Sequence, residues 1–305
     1  MTPATLTAVA AVGAITDTKV IGLTLHRGKF GDTKKAPTDP ITVDADKALL
    51  GVRKTILVAP ELKTIRSIDH RIDKYLALHA LPIPLARNVY GIPLAIAQEV
   101  ESHLRAFKRE RDDAADVVAA VYLTRVAETC ARLRVMQSAI DYPTPDAFRA
   151  TFYMGWRYRA AVEATPESLK LVDVDLFEGE RRRIETQLAA VAEECQQAMR
   201  AGLAALVHKL VENLTPGPDG KPRRFHPSHV EHLTEFLATF AARNVTNDVT
   251  LAGLASKAQQ LLAGVDPARL LDDAAQRAPL AAQFEGVLAA LTPLVGPRRL
   301  IGEEV

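Results

Sequence analysis

A mainly α fold is predicted, built on a long antiparallel helical hairpin of coiled-coil character. A small β-containing region precedes it and a helical C-terminal lobe follows it. Three observations predict this. Residues 93–140 and 177–214 carry helical apolar spacing over far more than the roughly 11 to 12 residues of an average helix. Hydrophobic residues make up 48% and aromatics only 5%, the balance of a folded, Ala- and Leu-rich helical chain. The turn-forming run Thr215-Pro-Gly-Pro-Asp-Gly-Lys-Pro222 stops the second stretch abruptly and turns the chain back. The expected divisions are 1–58 for the β-containing region or arm, 59–214 for the hairpin body and 215–305 for the lobe.

Near the start, Ile21, Leu23 and Leu25 alternate with Gly22, Thr24 and His26, which is a strand pattern. Residues 28–40 have the Gly, Lys, Asp and Pro content of a loop. Residues 41–43 and 55–58 are the short β-rich candidates for partner strands, with a helical turn at 44–50 that stops at Gly51. So few candidate partners leave two arrangements, a small sheet within the chain or an arm that pairs with another subunit.

Pro60 suits the first helical position, and Leu62, Ile65, Ile68, Ile72, Tyr75 and Leu76 repeat at helical spacing up to about Leu81. Pro82, Pro84 and Pro93 then exclude a continuous helix. The first long stripe runs through Val100, Leu104, Phe107, Ala114, Val118, Val121, Val126, Leu133 and Ile140, with Arg111 in the apolar seam and a phase shift after Tyr122. A turn with Pro143 and Pro145 leads to Phe148, Phe152, Tyr153, Trp156 and Tyr158, rings expected to anchor packing.

In the second long stretch Ile184, Leu188, Val191, Cys195, Ala198, Gly202, Leu206, Lys209 and Asn213 alternate by four and three, and Met199 and Leu210 widen the stripe. Shorter helices are expected at 227–243, 248–263 with Gly264 as the stop, 267–277 and 280–291. No tandem repeat of constant period points to a solenoid.

The 38 basic and 37 acidic side chains give a net charge of +1, so nothing draws the whole chain to nucleic acid or an anionic membrane. Arg105, Lys108, Arg109 and Arg111, and later Arg181, Arg182 and Arg183, are interleaved with acids and read as solvated helix faces. Lys29, Lys34 and Lys35 form a better, though small, basic feature. Cys130 and Cys195 belong to no metal-ligand pair and read as core filling. Residues 1–14 lack a basic leader and no run of about 18 apolar residues follows, so a cytoplasmic chain without a stable transmembrane segment is expected.

His226, His229 and His232 are the sharpest metal candidate, but steps of three residues drift around a helix. Glu99 and His103 form an i, i+4 pair of the kind common on helix surfaces. Gly28-Lys-Phe-Gly31 and Gly217-Pro-Asp-Gly220-Lys221 resemble phosphate loops in composition, yet neither carries a Ser or Thr after GK at the required spacing. No catalytic, metal or cofactor residue is therefore assigned, and no enzyme is expected.

Ala48-Leu-Leu-Gly-Val-Arg-Lys54 ahead of Pro60-Glu-Leu-Lys63, and Asn244-Val-Thr-Asn247-Asp248 ahead of the Leu251 stripe, carry a resemblance over most of the chain. The chain resembles an uncharacterised family of phage and mobile-element helical proteins often encoded beside a MoxR-type AAA+ ATPase. The resemblance implies such an ATPase as partner and no catalytic set. The expected function is a non-enzymatic assembly or adaptor protein that self-associates. The alternatives are a nucleic-acid-associated protein of phage or plasmid maintenance and, last, a membrane-inserting helical protein or a metal-dependent enzyme.

Overall fold

Strand alternation at residues 21–25 takes effect as β1 (Val20–Arg27), with Val20 and Leu23 fully buried. The computed structural model describes residues 19–37, 40–42, 44–46, 49–82, 84–86, 88–161, 165, 167–217, 223, 225–272 and 274–296. Five further strands follow: β2 (Thr33–Lys35), β3 (Arg53–Thr55), β4 (Pro84–Ala86), β5 (Val89–Pro93) and β6 (Met154–Ala160). Helices make up most of the rest: α1 (Leu62–His79), α2 (Ala97–Leu133), α3 (Pro145–Ala150), α4 (Val174–Leu214), α5 (Ser228–Arg243), α6 (Val249–Leu262), α7 (Pro267–Asp272) and α8 (Ala274–Leu291). The protein is mainly α.

The partners of β1 differ from those expected. In the four-stranded sheet the order is β4-β5-β1-β6, and β5 runs antiparallel to β1 with Val20 opposite Pro93 and Leu23 opposite Tyr90. The residues expected to pair with it do otherwise. Residues 41–42 form no strand, and β3 makes a separate two-stranded ribbon with β2. The proline-rich segment that cannot be helix is the β4–β5 hairpin, turned at Asn88, whose φ of 61° is one that Asn tolerates.

The described residues fall into two compact units that cut across the boundaries expected at 58 and 214. The first takes in the described residues of Met1–Leu23, Leu76–Gln98 and Tyr158–Val305, and the second those of Thr24–Tyr75 and Glu99–Arg157. Most of α2 therefore belongs to the second unit and α4 to the first.

In the first unit α4 and α5 run antiparallel across the turn after Leu214, beyond the 59–214 bounds expected for the hairpin. Arg223 pairs with Glu212 near the turn, Gly202 lies against Phe236 farther along, and Arg200 reaches Asp248 beyond, which is the order of antiparallel helices. Along α4 the buried positions are Phe177, Ala192, Cys195, Met199, Leu203, Val207, Leu210, Val211 and Leu214. Of the expected stripe Cys195, Met199 and Leu210 are buried, Ile184, Leu188 and Val191 are half-buried, and beyond Cys195 the buried line otherwise runs one residue off, leaving Lys209 exposed. A continuous core joins α4 to Leu233, Phe236 and Phe240 of α5, Leu251 and Ala258 of α6, and Phe284 and Val287 of α8. α8 runs through Pro279, where a break was expected. Gly264, at φ 79°, terminates α6 as its sequence position demands.

In the second unit α1 buries Ile65, Ile68 and Ile72, and α2 buries Val100, Leu104, Phe107, Arg111, Ala115 and Val118. The phase shift after Tyr122 is resolved by Thr129, which is buried, whereas Ile140 is 92% exposed. Phe148 is the aromatic hub: it stacks on Tyr122 with centroids 3.9 Å apart and meets Phe152 and Phe30 edge-on.

Candidate functional site

A guanidinium buried in an apolar seam must place all five N–H donors. Arg111 is 0% exposed and does so. Its Nε donates to Asp69 Oδ1 at 2.9 Å, Nη1 to the carbonyls of Phe152 and Tyr153 at 2.8 and 3.2 Å, and Nη2 to the Gly28 carbonyl at 2.6 Å and to Asp69 Oδ2 at 3.5 Å. Arg27 pairs with the same Asp69 and with Asp73. The residue that ended a basic run in the sequence is an internal brace. Its neighbours in that run are neutralised on the surface, Arg105 by Glu101 and Lys108 by Asp112, each at 2.6 Å. On α4, Arg181 pairs with Glu178 at 2.7 Å and Arg183 with Glu180.

The glycine loop at 28–31 serves the same brace. Gly28 donates its N–H to the Tyr153 carbonyl at 2.8 Å, and a Cβ there would overlap the Thr151 carbonyl oxygen. Its glycine is required by backbone approach rather than by a phosphate. The second loop, Gly217-Pro-Asp-Gly220-Lys221, lies largely outside the described residues, which include only Gly217.

His103 is tied to Tyr75, which stacks on it at 4.6 Å and brings its hydroxyl to 3.2 Å from Nδ1. Burial, with Glu99 nearby, pushes the Tyr75 hydroxyl up to about 12. The His226 and His229 rings lie perpendicular with centroids 6.1 Å apart. Burial and the neighbouring Lys209, His226 and His232 lower the pKa of His229. Among the described residues no group of three His, Cys, Asp or Glu side chains gathers as a metal site. An open groove of about 670 Å³ between α1 and α2 is spanned by the Arg71–Glu110 ion pair at 2.7 Å.

A second buried cation organises one end of the same unit. Lys54, 7% exposed, places Nζ 2.6 Å from the Met136 carbonyl and 2.6 Å from Asp141 Oδ2, an ion-pair distance at an angle outside that of a hydrogen bond. It thereby anchors two short 3-10 turns, Arg134–Met136 and Ala139–Asp141, to the β2–β3 ribbon. The turns begin with Arg134 at φ 48°, a strained value for arginine. They present Val135 and Ile140 to solvent, 81% and 92% exposed. Beside them burial, with the Cys130 thiol next to it, raises the pKa of the Tyr142 hydroxyl.

The first unit treats its polar groups differently. Asp248 caps α6 by accepting from Leu251 N–H at 3.0 Å and pairs with Arg200 at 2.7 Å. Arg243 is 5% exposed, and its Nε has no hydrogen-bond partner among the described residues. It sits 5.5 Å over the Phe236 ring, close to Cys195. Burial pushes the Cys195 thiol up to about 12, which keeps it protonated and inert at neutral pH. At the start of α4 the buried set thins: only Phe177 precedes Ala192. Leu171, at 89%, and Val172, Val174 and Leu176 are all exposed there.

Sequence reasoning passed over Lys54, Asp141 and the 171–176 segment. The first two lie far apart in sequence, and the third falls between the aromatic segment and the second long stretch, where no element is expected. The exposed alternation Leu171-Val-Asp-Val-Asp-Leu176 was a legible signal, because aliphatics beside carboxylates at a helix start serve no interior.

Among the described residues no helix is long and apolar enough to cross a membrane. Compared with family models, curated proteins and solved structures, the chain finds no match.

Proposed function

We propose that this protein is a non-enzymatic assembly or adaptor protein that works by self-association and by engaging a second protein. One observation carries the reading: large aliphatic side chains stand exposed at two firmly held places, Val135 with Ile140 and Leu171 through Leu176. Such patches on a braced framework are the mark of surfaces that other proteins cover. The resemblance to phage and mobile-element proteins encoded beside a MoxR-type AAA+ ATPase makes that ATPase the partner to test.

Light scattering coupled to size exclusion on the untagged protein gives the first test, and a pull-down with a MoxR-type ATPase in the presence of ATP gives the second. A discrete oligomer and a retained ATPase are expected. A monomer at tens of micromolar that retains no ATPase overturns the reading.

A nucleic-acid-associated function is the second reading. Lys34, Lys35, Arg53, Arg132 and Arg134 are exposed and have no ion-pair partner among the described residues. DNA retention that collapses between low and moderate salt would favour it.

A further inference from the structure

We infer that copies of this chain join head to tail, the acidic aliphatic start of α4 in one copy docking on the basic aliphatic end of the second unit in another. This rests on the self-association reading above and names the surfaces that carry it. The receiving surface is built around the buried Lys54–Asp141 pair. On the ribbon Lys34 stands opposite Lys54 on the same face, while Arg132 lies in the last turn of α2 and Arg134 opens the turn that Lys54 holds through the Met136 carbonyl. Val135 and Ile140 project from the same turns.

A strained Arg134 and a buried ion pair together fix two turns whose apolar side chains face water. The interior gains nothing from Val135 and Ile140, so their burial waits on another molecule.

The complementary surface lies on the chain itself. Leu171, Val172, Val174 and Leu176 are exposed, and between them stand Asp173 and Asp175, neither with a cation partner among the described residues. Asp173 is committed to capping α4, accepting from the N–H groups of Asp175 and Leu176, and holds the segment in one shape. Cations and aliphatics on one side meet carboxylates and aliphatics on the other. The receiving surface's apolar members are aliphatic and offer no stacking platform for bases, so the pattern favours a protein occupant over a single strand of nucleic acid. Because the two surfaces differ, the contact is heterologous and propagates, closing as a ring or extending as a filament.

Two variants test this. Arg132→Glu with Arg134→Glu spoils the receiving surface, and Val172→Lys with Asp175→Lys spoils the docking segment while leaving the Asp173 cap intact. Circular dichroism confirms that each is folded, and light scattering reads the mass. Wild type is expected to assemble in a concentration- and salt-dependent way, with each variant weakened by roughly tenfold or more. In an equimolar mixture one pair of surfaces is intact and the other opposes Glu to Lys, so the reversed charges are complementary again and assembly is expected to recover beyond that of either variant alone. If both variants assemble like wild type, these surfaces are wrong while self-association stands. If wild type is monomeric, self-association fails as well. If wild type is monomeric and its mass shifts only on adding a DNA duplex at low salt, the cations serve phosphates and the inference falls.

Discussion

Arg111 in the second unit and Arg243 in the first are both nearly sealed from solvent, at 0% and 5% exposure, yet their surroundings have little in common. Arg111 meets a carboxylate and three carbonyls; Arg243 has an aromatic face and a thiol, and its Nε has no hydrogen-bond partner among the described residues. The contrast teaches that burial of charge says little by itself. In the second unit a cation ties together Gly28, Asp69 and the 152–153 backbone, beside the Phe30–Phe148–Phe152 ring contacts. In the first unit hydrocarbon already does that work through Leu233, Phe284 and Val287, and the cation is carried as a cost.

The strongest way to break the comparison is Arg111→Ala. It leaves Asp69 with only Arg27 as cation partner and strips the Gly28 and Phe152 carbonyls of their charged donor, so the second unit should lose about 3 kcal/mol. The only tryptophan, Trp156, belongs to that unit and donates to Glu101, so its fluorescence in a urea titration reads the loss. An unchanged midpoint would show that the brace is ornamental. Next comes Gly28→Ala, which forces a Cβ into the Thr151 carbonyl and should cost about 1 to 3 kcal/mol by the same probe.

Arg243→Met should move the other way, stabilising the first unit by about 1 kcal/mol as slower amide exchange in α5 and α6. Destabilisation would mean that the guanidinium has a partner outside the described residues.

Acid sharpens the comparison further. Burial raises the Asp248 carboxyl, but hydrogen bonds from Arg200, the Leu251 N–H and Gln196 outweigh it and hold the pKa below its ordinary value. A depressed folded-state pKa gives stability that is full above the ordinary carboxylate value, near 3.8, and lost as pH falls through the lower folded value. Asp248→Asn should flatten the pH dependence of α6 exchange below about pH 4; an unaltered profile would remove Asp248 from the account. The smallest effect is expected at the α4 surface, where Arg183→Ala should shift stability by no more than about 0.5 kcal/mol.

Long, strongly periodic elements were legible in the sequence, and pairings were not. α1, α4, α5 and α6 stand within a few residues of where apolar spacing and caps put them, since helix formation answers to local periodicity, while α2 stops at Leu133 and not at the expected Ile140. The register of α4 beyond Cys195 was misread because Ala198, Gly202 and Leu206 compete with Met199, Leu203 and Val207, and only the facing α5 and α8 decide. β5 and β6 escaped because Val89-Tyr-Gly-Ile-Pro93 and Met154-Gly-Trp-Arg-Tyr-Arg-Ala160 are short and lie among prolines and aromatics. Arg111 was visible as a charge in an apolar seam, but its partners lie 41 to 83 residues away and could be found only in three dimensions.

Interleaving of the two units has a consequence for synthesis. All of Thr24–Tyr75 and Glu99–Arg157 leaves the ribosome before the core of α4 through α8 exists, while Val20 and Leu23 of β1 are already made. At roughly 5 to 20 residues per second the second unit can close on Arg111 on the order of ten seconds before the first can complete its own interior. Vectorial folding in that order predicts that nascent chains halted at about residue 200, where Arg157 has cleared the exit tunnel, already shield Trp156 from quencher; if they do not, the second unit closes only later in synthesis.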